Sequence, residues 1–355
     1  MTTFKGKIFA PEGRFFFGEV TCSEGIIKEI KSLSEQDLTP EERNTFWIPG
    51  LVDIHSHGCM GHDTCEATKE ELLEMLKFQR SIGVTSYCFT TMTYPEDKLT
   101  GIVERISDIT DDGLAGIYLE GPFISKAKKG AQNEAYIQSP DAKMLQRLCA
   151  ASKDLVKVVA IAPEVDGALQ LIESMSDRVR FSVAHTAADY DKTVAAFEKG
   201  ATQVTHLYNA MSGFNHREPG VVEAVFDSDT AMAELICDGI HISDAVIRTT
   251  FKILGSERVI LISDSMEATG MPDGDYMLGG QPVHKKGRLA TLKDGTIAGS
   301  ASTLMDCLKH AINIGVPMET AILAATRNPA KAIGIYDMTG SIEPGKKVHI
   351  VRLLL

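Results

Sequence analysis

At 355 residues the chain has room for one large domain, or a large domain with a small companion. Its 44% hydrophobic and 24% charged residues are ordinary for a globular protein, and 36 Lys and Arg against 48 Asp and Glu leave a formal charge of −12, which argues against nucleic-acid or anionic-membrane partners. Seven cysteines, an odd number without a Cys-x-x-Cys pair, read as reduced thiols in a cytoplasmic protein; we expect no signal peptide, and no apolar run reaches bilayer length.

Residues 1–48 read as short strands at 4–9, 14–22 and 26–31, punctuated by Pro11-Glu12-Gly13 and Ser23-Glu24-Gly25, with a polar loop at 33–44. This stretch carries too little core to stand alone. The other chain end, which returns to strand at 350–354, is the expected partner, so that 1–48 and 336–355 build a small β-sandwich domain.

From 49 to 335 the pattern alternates. Strands are expected at 51–54, 84–92, 115–119, 156–162, 179–184, 202–205, 232–236 and 259–263. Helices lie between them, the first opened by a capping box at Thr68-Lys69-Glu70-Glu71 and closed by Gly83. Residues 270–298 look irregular, with a hairpin near Lys285-Lys286-Gly287, and helices follow at 302–314 and 319–325. Alternating units of this kind predict parallel βα architecture, and eight of them fit a (β/α)8 barrel of the TIM type. The active site of such a barrel lies at the C-terminal ends of its strands. His55, His57, Glu120, His185, His206, His241 and Asp264 all fall there.

His55 and His57 stand two residues apart at the end of an apolar strand, so both rings leave the same face. That makes half a metal site, or a pair of satisfied polar histidines beside a loop. His185 and His206 each follow a strand and can converge from neighbouring ones. Glu120 precedes Gly121-Pro122 and reads as a turn carboxylate or as a ligand. Cys59 and Cys65 flank the histidine pair and read as buried or loop thiols. Lys126, Lys128 and Lys129 read as a solvated cluster.

The segments 49–58 (Pro-Gly-Leu-Val-Asp-Ile-His-Ser-His-Gly), 119–123 (Leu-Glu-Gly-Pro-Phe), 128–131 (Lys-Lys-Gly-Ala), 205–211 (Thr-His-Leu-Tyr-Asn-Ala-Met), 216–220 (His-Arg-Glu-Pro-Gly), 238–241 (Asp-Gly-Ile-His) and 295–300 (Gly-Thr-Ile-Ala-Gly-Ser) together resemble the N-acetylglucosamine-6-phosphate deacetylase family of the amidohydrolase superfamily. The resemblance runs from Pro49 to about 345. It implies a metal-dependent hydrolase that takes N-acetyl-D-glucosamine 6-phosphate to D-glucosamine 6-phosphate and acetate, in amino-sugar catabolism or cell-wall recycling. It makes Glu120 a metal ligand, and with His185 and His206 gives an O,N,N set with positions left for water. Zn, Fe, Mn and Co all suit such ligands. One or two ions are implied; because His-x-His is kept, we expect two, His55 and His57 on one, His185 and His206 on the other, Glu120 between them.

The resemblance also makes Asp264 the catalytic acid/base. A carboxylate there can take a proton from an activated water and pass it to the departing amine. His241 is implied to contact substrate and polarise the acetyl carbonyl. Asn209 and Ala210 follow His206, within reach of a phosphate, and Ala131, Gln132, Ile297, Ala298 and Gly299 match other substrate-contacting positions. Arg217 suits a phosphate by its two-pronged guanidinium, and the family implies a homodimer in which it reaches the neighbour's site. Three features depart from the pattern: Gln132 stands where some relatives carry His, the loop 212–215 is unusual, and 346–350 replaces an acidic run. The galactosamine epimer, a cyclic amide, and a non-catalytic binding role remain alternatives.

Overall fold

A computed structural model describes residues 1–354. The chain ends meet in one five-stranded sheet, ordered Ile350–Leu353, Phe46–Pro49, Thr2–Ala10, Arg14–Ser23, Ile26–Ser32. The tail runs antiparallel to Phe46–Pro49, with Ile350 opposite Pro49 and Leu353 opposite Phe46. Leu355, included in the expected tail domain, lies outside the described residues. Alternation along the strands divides their side chains between two faces. Phe9, Phe15 and Phe46 stack edge to face and join the barrel core. On the other face Ile8, Val20, Cys22 and Ile27 are buried with Ile342, and Val348 packs against them. Ile342 and Val348 of the returning segment thus help cover this face of the small unit. The polar stretch 33–44, expected as loop, instead holds two short helical turns, Glu35–Asp37 and Pro40–Arg43. Their caps are local and polar: Asp37 accepts from Ser34, and Thr39 and Glu42 bond reciprocally.

The eight expected strands form one parallel sheet in chain order: Leu51–Ser56, Val84–Thr91, Leu114–Leu119, Val156–Ile161, Arg180–Val183, Ala201–Val204, Met232–Ile236 and Val259–Ile262. The first seven crossover helices are Lys69–Ser81, Glu96–Ser107, Ala142–Ala151, Ala168–Met175, Tyr190–Glu198, Val221–Asp227 and Asp244–Leu254, and Leu304–Asn313 completes the ring. Neighbouring strand residues serve opposite layers, Val158 and Ala160 filling the lumen while Val159 and Ile161 meet the helices. Ile333 and Ile335 add to the lumen cluster.

The seam between first and last strands is closed by side chains and loop backbone. Asp53 accepts from Ser263 Oγ at 2.5 Å and from the Ser263 amide at 3.3 Å. The Asp264 amide donates to His55 O at 3.0 Å, and the His57 amide to Ser265 O at 2.7 Å. This closure sets Asp264 beside the histidine pair.

Part of the stretch expected to be irregular is a three-stranded antiparallel sheet, Gly274–Leu278, Gln281–Lys286 and Leu289–Thr291, with the expected hairpin as its second turn. Its first turn is Gly279-Gly280, both with positive φ (56° and 78°), the glycine pair that a two-residue hairpin favours. Leu278, at its tip, lines the cavity at the barrel mouth.

Candidate active site

The strand ends deliver five side chains to one point. His55 lies within the first strand, and His57 and Glu120 directly follow theirs. His185 and His206 come two residues after their strands, where the backbone turns sharply through left-handed φ values of 43° and 28°. Asp264 turns in the same way at 48°. Such conformations cost free energy for residues with a Cβ, and here they aim side chains across the mouth.

Glu120, almost fully buried, is the hub. Its Oε1 lies 3.1 Å from His185 Nε2, 3.0 Å from His206 Nε2 and 3.3 Å from His55 Nε2; its Oε2 lies 3.1 Å from His57 Nε2. The two rings His185 and His206 approach to 3.2 Å, Nε2 to Nε2. Asp264 Oδ1 is 3.5 Å from His55 Nε2 and 3.4 Å from His57 Nε2.

These spacings fit metal ligands. Two donors each about 2.0–2.1 Å from one tetrahedral ion stand roughly 3.3 Å apart. The trios His55, His57, Glu120 and Glu120, His185, His206 each offer donor atoms within 4.8 Å of one another. Tautomers point the same way. His55 Nδ1–H donates to Glu234 Oε2 at 3.0 Å, and His185 Nδ1–H donates to Lys128 O at 3.0 Å. In the neutral rings this turns the Nε2 lone pairs toward the Glu120 carboxylate, an arrangement that a cation between them satisfies.

The electrostatics agree. Burial opposes charge on His55 and His57, but Glu120 leads the charges that outweigh it, raising His55 well above the ordinary value and His57 to about 9. Burial would raise Glu120, yet His185, His57 and His55 hold it well below the usual carboxylate range. Protons crowd where ions would replace them, and metal binding releases such protons. Cys59 and Cys65 belong to neither trio: both are buried, the Cys59 thiol is pushed up to about 12 by desolvation, and Cys65 Sγ accepts from the Met92 amide.

A cavity of about 380 Å³ opens directly above this cluster, at the small end of the roughly 300–1,000 Å³ typical of small-molecule sites. Ala131, Gln132, Asn209, Ala210, His241, Ile297 and Gly299 line it, as do His57, Glu120, His185, His206 and Asp264. Ala298 does not: it is fully buried, its amide donating to Ala290 O. Arg217 lies elsewhere, exposed on the loop after Met211, and the cavity wall contains neither lysine nor arginine. The amide and side-chain NH2 of Asn209 both donate to the chain's own carbonyls, whereas the Ala210 N–H makes no hydrogen bond among the described residues. A larger hollow of about 650 Å³ beside Lys128, Tyr190 and Asn215 holds none of the clustered histidines.

The supporting roles of Asp238 and Glu234, and the bond from Gln132 to Glu120, escaped the sequence reading. Asp238 accepts from His241 Nδ1–H at 2.8 Å and from the amides of Ile240 and His241, which leaves Nε2 as the free ring nitrogen. Gln132 Nε2 donates to Glu120 Oε2 while its Oε1 accepts from the Thr93 amide at 2.7 Å. Glu234, behind His55, is a lone charge inside an otherwise apolar strand, which was the available signal.

Fold and site together define a hydrolase barrel whose strand ends carry two groups of side chains able to hold a metal ion. The chain belongs to the amidohydrolase family, whose model matches residues 46–353. It is 38% identical over 348 residues to N-acetylglucosamine-6-phosphate deacetylase of Bacillus subtilis (strain 168), covering 94% of this chain and 88% of that protein. It is 33% identical to N-acetylgalactosamine-6-phosphate deacetylase of Escherichia coli O157:H7, covering 98% and 93%. Among solved structures, a mutant N-acetyl-D-glucosamine-6-phosphate deacetylase from Mycobacterium smegmatis in complex with N-acetyl-D-glucosamine-6-phosphate superposes with a TM-score of 0.92 at 30% identity, covering 99% and 94%.

Proposed function

We propose that this chain hydrolyses the N-acetyl amide of N-acetyl-D-glucosamine 6-phosphate, releasing D-glucosamine 6-phosphate and acetate. The observation that carries the reading is the Glu120-centred histidine cluster with Asp264 at the floor of a sugar-sized cavity. The likeness to the Mycobacterium smegmatis complex supports the substrate.

In this reading His55, His57, Glu120, His185 and His206 hold one or two divalent ions, Zn, Fe, Mn or Co. When bound, these supply Lewis-acid polarisation of the acetyl carbonyl and an activated water. Asp264 would take a proton from the attacking water as the new C–O bond forms, then deliver it to the amide nitrogen as the C–N bond breaks. His241, held through Nδ1 by Asp238, which favours its protonated ring, donates from Nε2–H to the acetyl oxygen. The free N–H of Ala210 meets the phosphate. Since the cavity wall has no cation of its own, the phosphate's counter-charge comes from outside it, and Arg217 of a second copy in a homodimer is the proposed source. Asn209, Ala131, Gln132, Ile297 and Gly299 shape the sugar site around these groups.

The catalytic unit is the barrel, 49–335, and the small β domain comprises 1–48 and 336–355. A cytoplasmic setting is supported by seven unpaired, buried cysteines. No helix among the described residues is long and apolar enough to cross a membrane. The deciding experiment is acetate release from N-acetylglucosamine 6-phosphate and its galactosamine epimer, assayed side by side with metal-reconstituted protein. Preference for the first, abolished by chelator, is expected. Preference for the epimer, the substrate class of the Escherichia coli relative's name, keeps the chemistry and changes the sugar.

A further inference from the structure

The seventh barrel strand, Met232–Ile236, is apolar except for Glu234, which is fully buried. A buried carboxylate is costly unless paired. Among the described residues no lysine or arginine pairs with Glu234. Its side-chain partners are His55, whose Nδ1–H donates to Oε2 at 3.0 Å, and Gln203, whose Nε2 donates to Oε1 at 2.7 Å. Gln203 is itself fully buried on the adjacent sixth strand.

The consequence lies on the opposite edge of the His55 ring. Its Nε2 has no hydrogen bond of its own, yet it stands 3.3 Å from Glu120 Oε1 and 3.5 Å from Asp264 Oδ1. The other three histidines are held differently. His185 Nδ1 meets a neutral backbone carbonyl, and Nδ1 of His57 and of His206 has no partner. Of the four, His55 alone is backed by a carboxylate.

We propose that Glu234 is the positioning residue of the His55/His57 ion position. It keeps a proton on His55 Nδ1, so that Nε2 is the ring nitrogen left to face the cation. Gln203 in turn fixes the Glu234 carboxylate. A carboxylate behind a ligating imidazole also raises its basicity as a ligand. Glu234 thereby decides whether the first position fills, while the Glu120, His185, His206 position is independent of it. This rests on the two-ion reading above.

The test compares metal-depleted wild-type protein with Glu234→Gln, titrated with Zn²⁺ against a chromophoric chelator, with melting of the metal-free proteins as a check on the fold. The substitution is isosteric, and Gln203 can turn its amide, whose Oε1 is unpaired, to accept from the new NH2. Wild type is expected to take up two ions. Glu234→Gln is expected to bind one as wild type does and the other roughly 10–100-fold more weakly. Adding Glu234→Gln to His57→Ala, which already removes that position, is expected to change nothing further. Gln203→Met is expected to weaken the same ion by less, and it serves if Glu234→Gln does not fold. Unchanged affinity for both ions, or equal weakening of both, overturns the assignment of Glu234. Wild-type protein that takes up a single ion overturns the two-ion reading itself and the inference with it.

Discussion

Gln132 Nε2 donates to Glu120 Oε2 at 2.6 Å. The carboxylate that meets four histidines is thus held by an amide, and that amide is pinned in turn by the Thr93 backbone. Gln132→Leu removes this restraint. We expect roughly tenfold weaker metal binding with little change in KM for the acetylated sugar. If Gln132 grips the sugar instead, KM rises at full metal content. Metal analysis alongside steady-state kinetics separates the two.

Asp264→Asn preserves shape and removes the base. Burial would raise the Asp264 pKa, but His57 and His55 hold it low, so the carboxylate is ionised and ready to accept a proton. The variant is expected to keep its metal and lose roughly 10²-fold or more in kcat. Metal content and single-turnover rates measured on one preparation decide it.

Asp238→Asn weakens the charge-assisted bond that orients His241. Such bonds contribute about 1.5–3 kcal/mol, which converts to a loss of roughly 10–100-fold in kcat/KM. Burial opposes charge on His241, but Asp238 outweighs it and raises the pKa. Without that carboxylate the ring loses its proton at lower pH. The limb of the kcat/KM profile that reports His241 deprotonation therefore shifts toward acid. Ser300→Ala removes a longer contact of 3.3 Å to the same Asp238 oxygen and has the smaller effect.

His349 reports on the small domain. Burial disfavours its charged form and holds its pKa below the ordinary value. The unfolded chain then binds more protons than the folded one as pH falls. Stability from this group is full above about pH 6.5 and is lost progressively as pH drops toward the depressed folded value. His349→Gln is expected to flatten that acid-side loss, measured by denaturant titration of metal-free protein at several pH values.

Chelation should both silence and soften the protein. A ligand at 1,000 times its Kd stabilises the folded state by about 4 kcal/mol. Removing the ion is expected to lower the melting temperature by several degrees and to abolish acetate release, with both restored on adding Zn²⁺, Mn²⁺, Co²⁺ or Fe²⁺.

The barrel was legible because its strands are buried on both faces. Runs such as Val156–Ile161 and Val259–Ile262 are apolar almost throughout, and candidate site residues follow several such strands, Glu120 directly after Leu114–Leu119 and Asp264 two residues after Val259–Ile262. Strand rhythm and ligand type are local properties, so His55, His57, Glu120, His185, His206 and Asp264 could all be picked out from the chain itself. The short turns at 35–43 were missed because their capping chemistry is also the chemistry of polar loops.

Other relationships belong to the tertiary structure alone. Glu234 and His55 lie 179 residues apart, and Asp53 and Ser263 lie 210 apart. Only closure of the barrel brings the last strand against the first, setting Asp264 beside the histidine pair and Glu234 behind His55. The amino-acid order determined which side chains could bind an ion and move a proton. Which oxygen of Glu120 faces which ring, which edge of His55 is free, and the exclusion of Arg217 from its own chain's cavity were decided by packing, because these depend on distances between segments that no local pattern encodes.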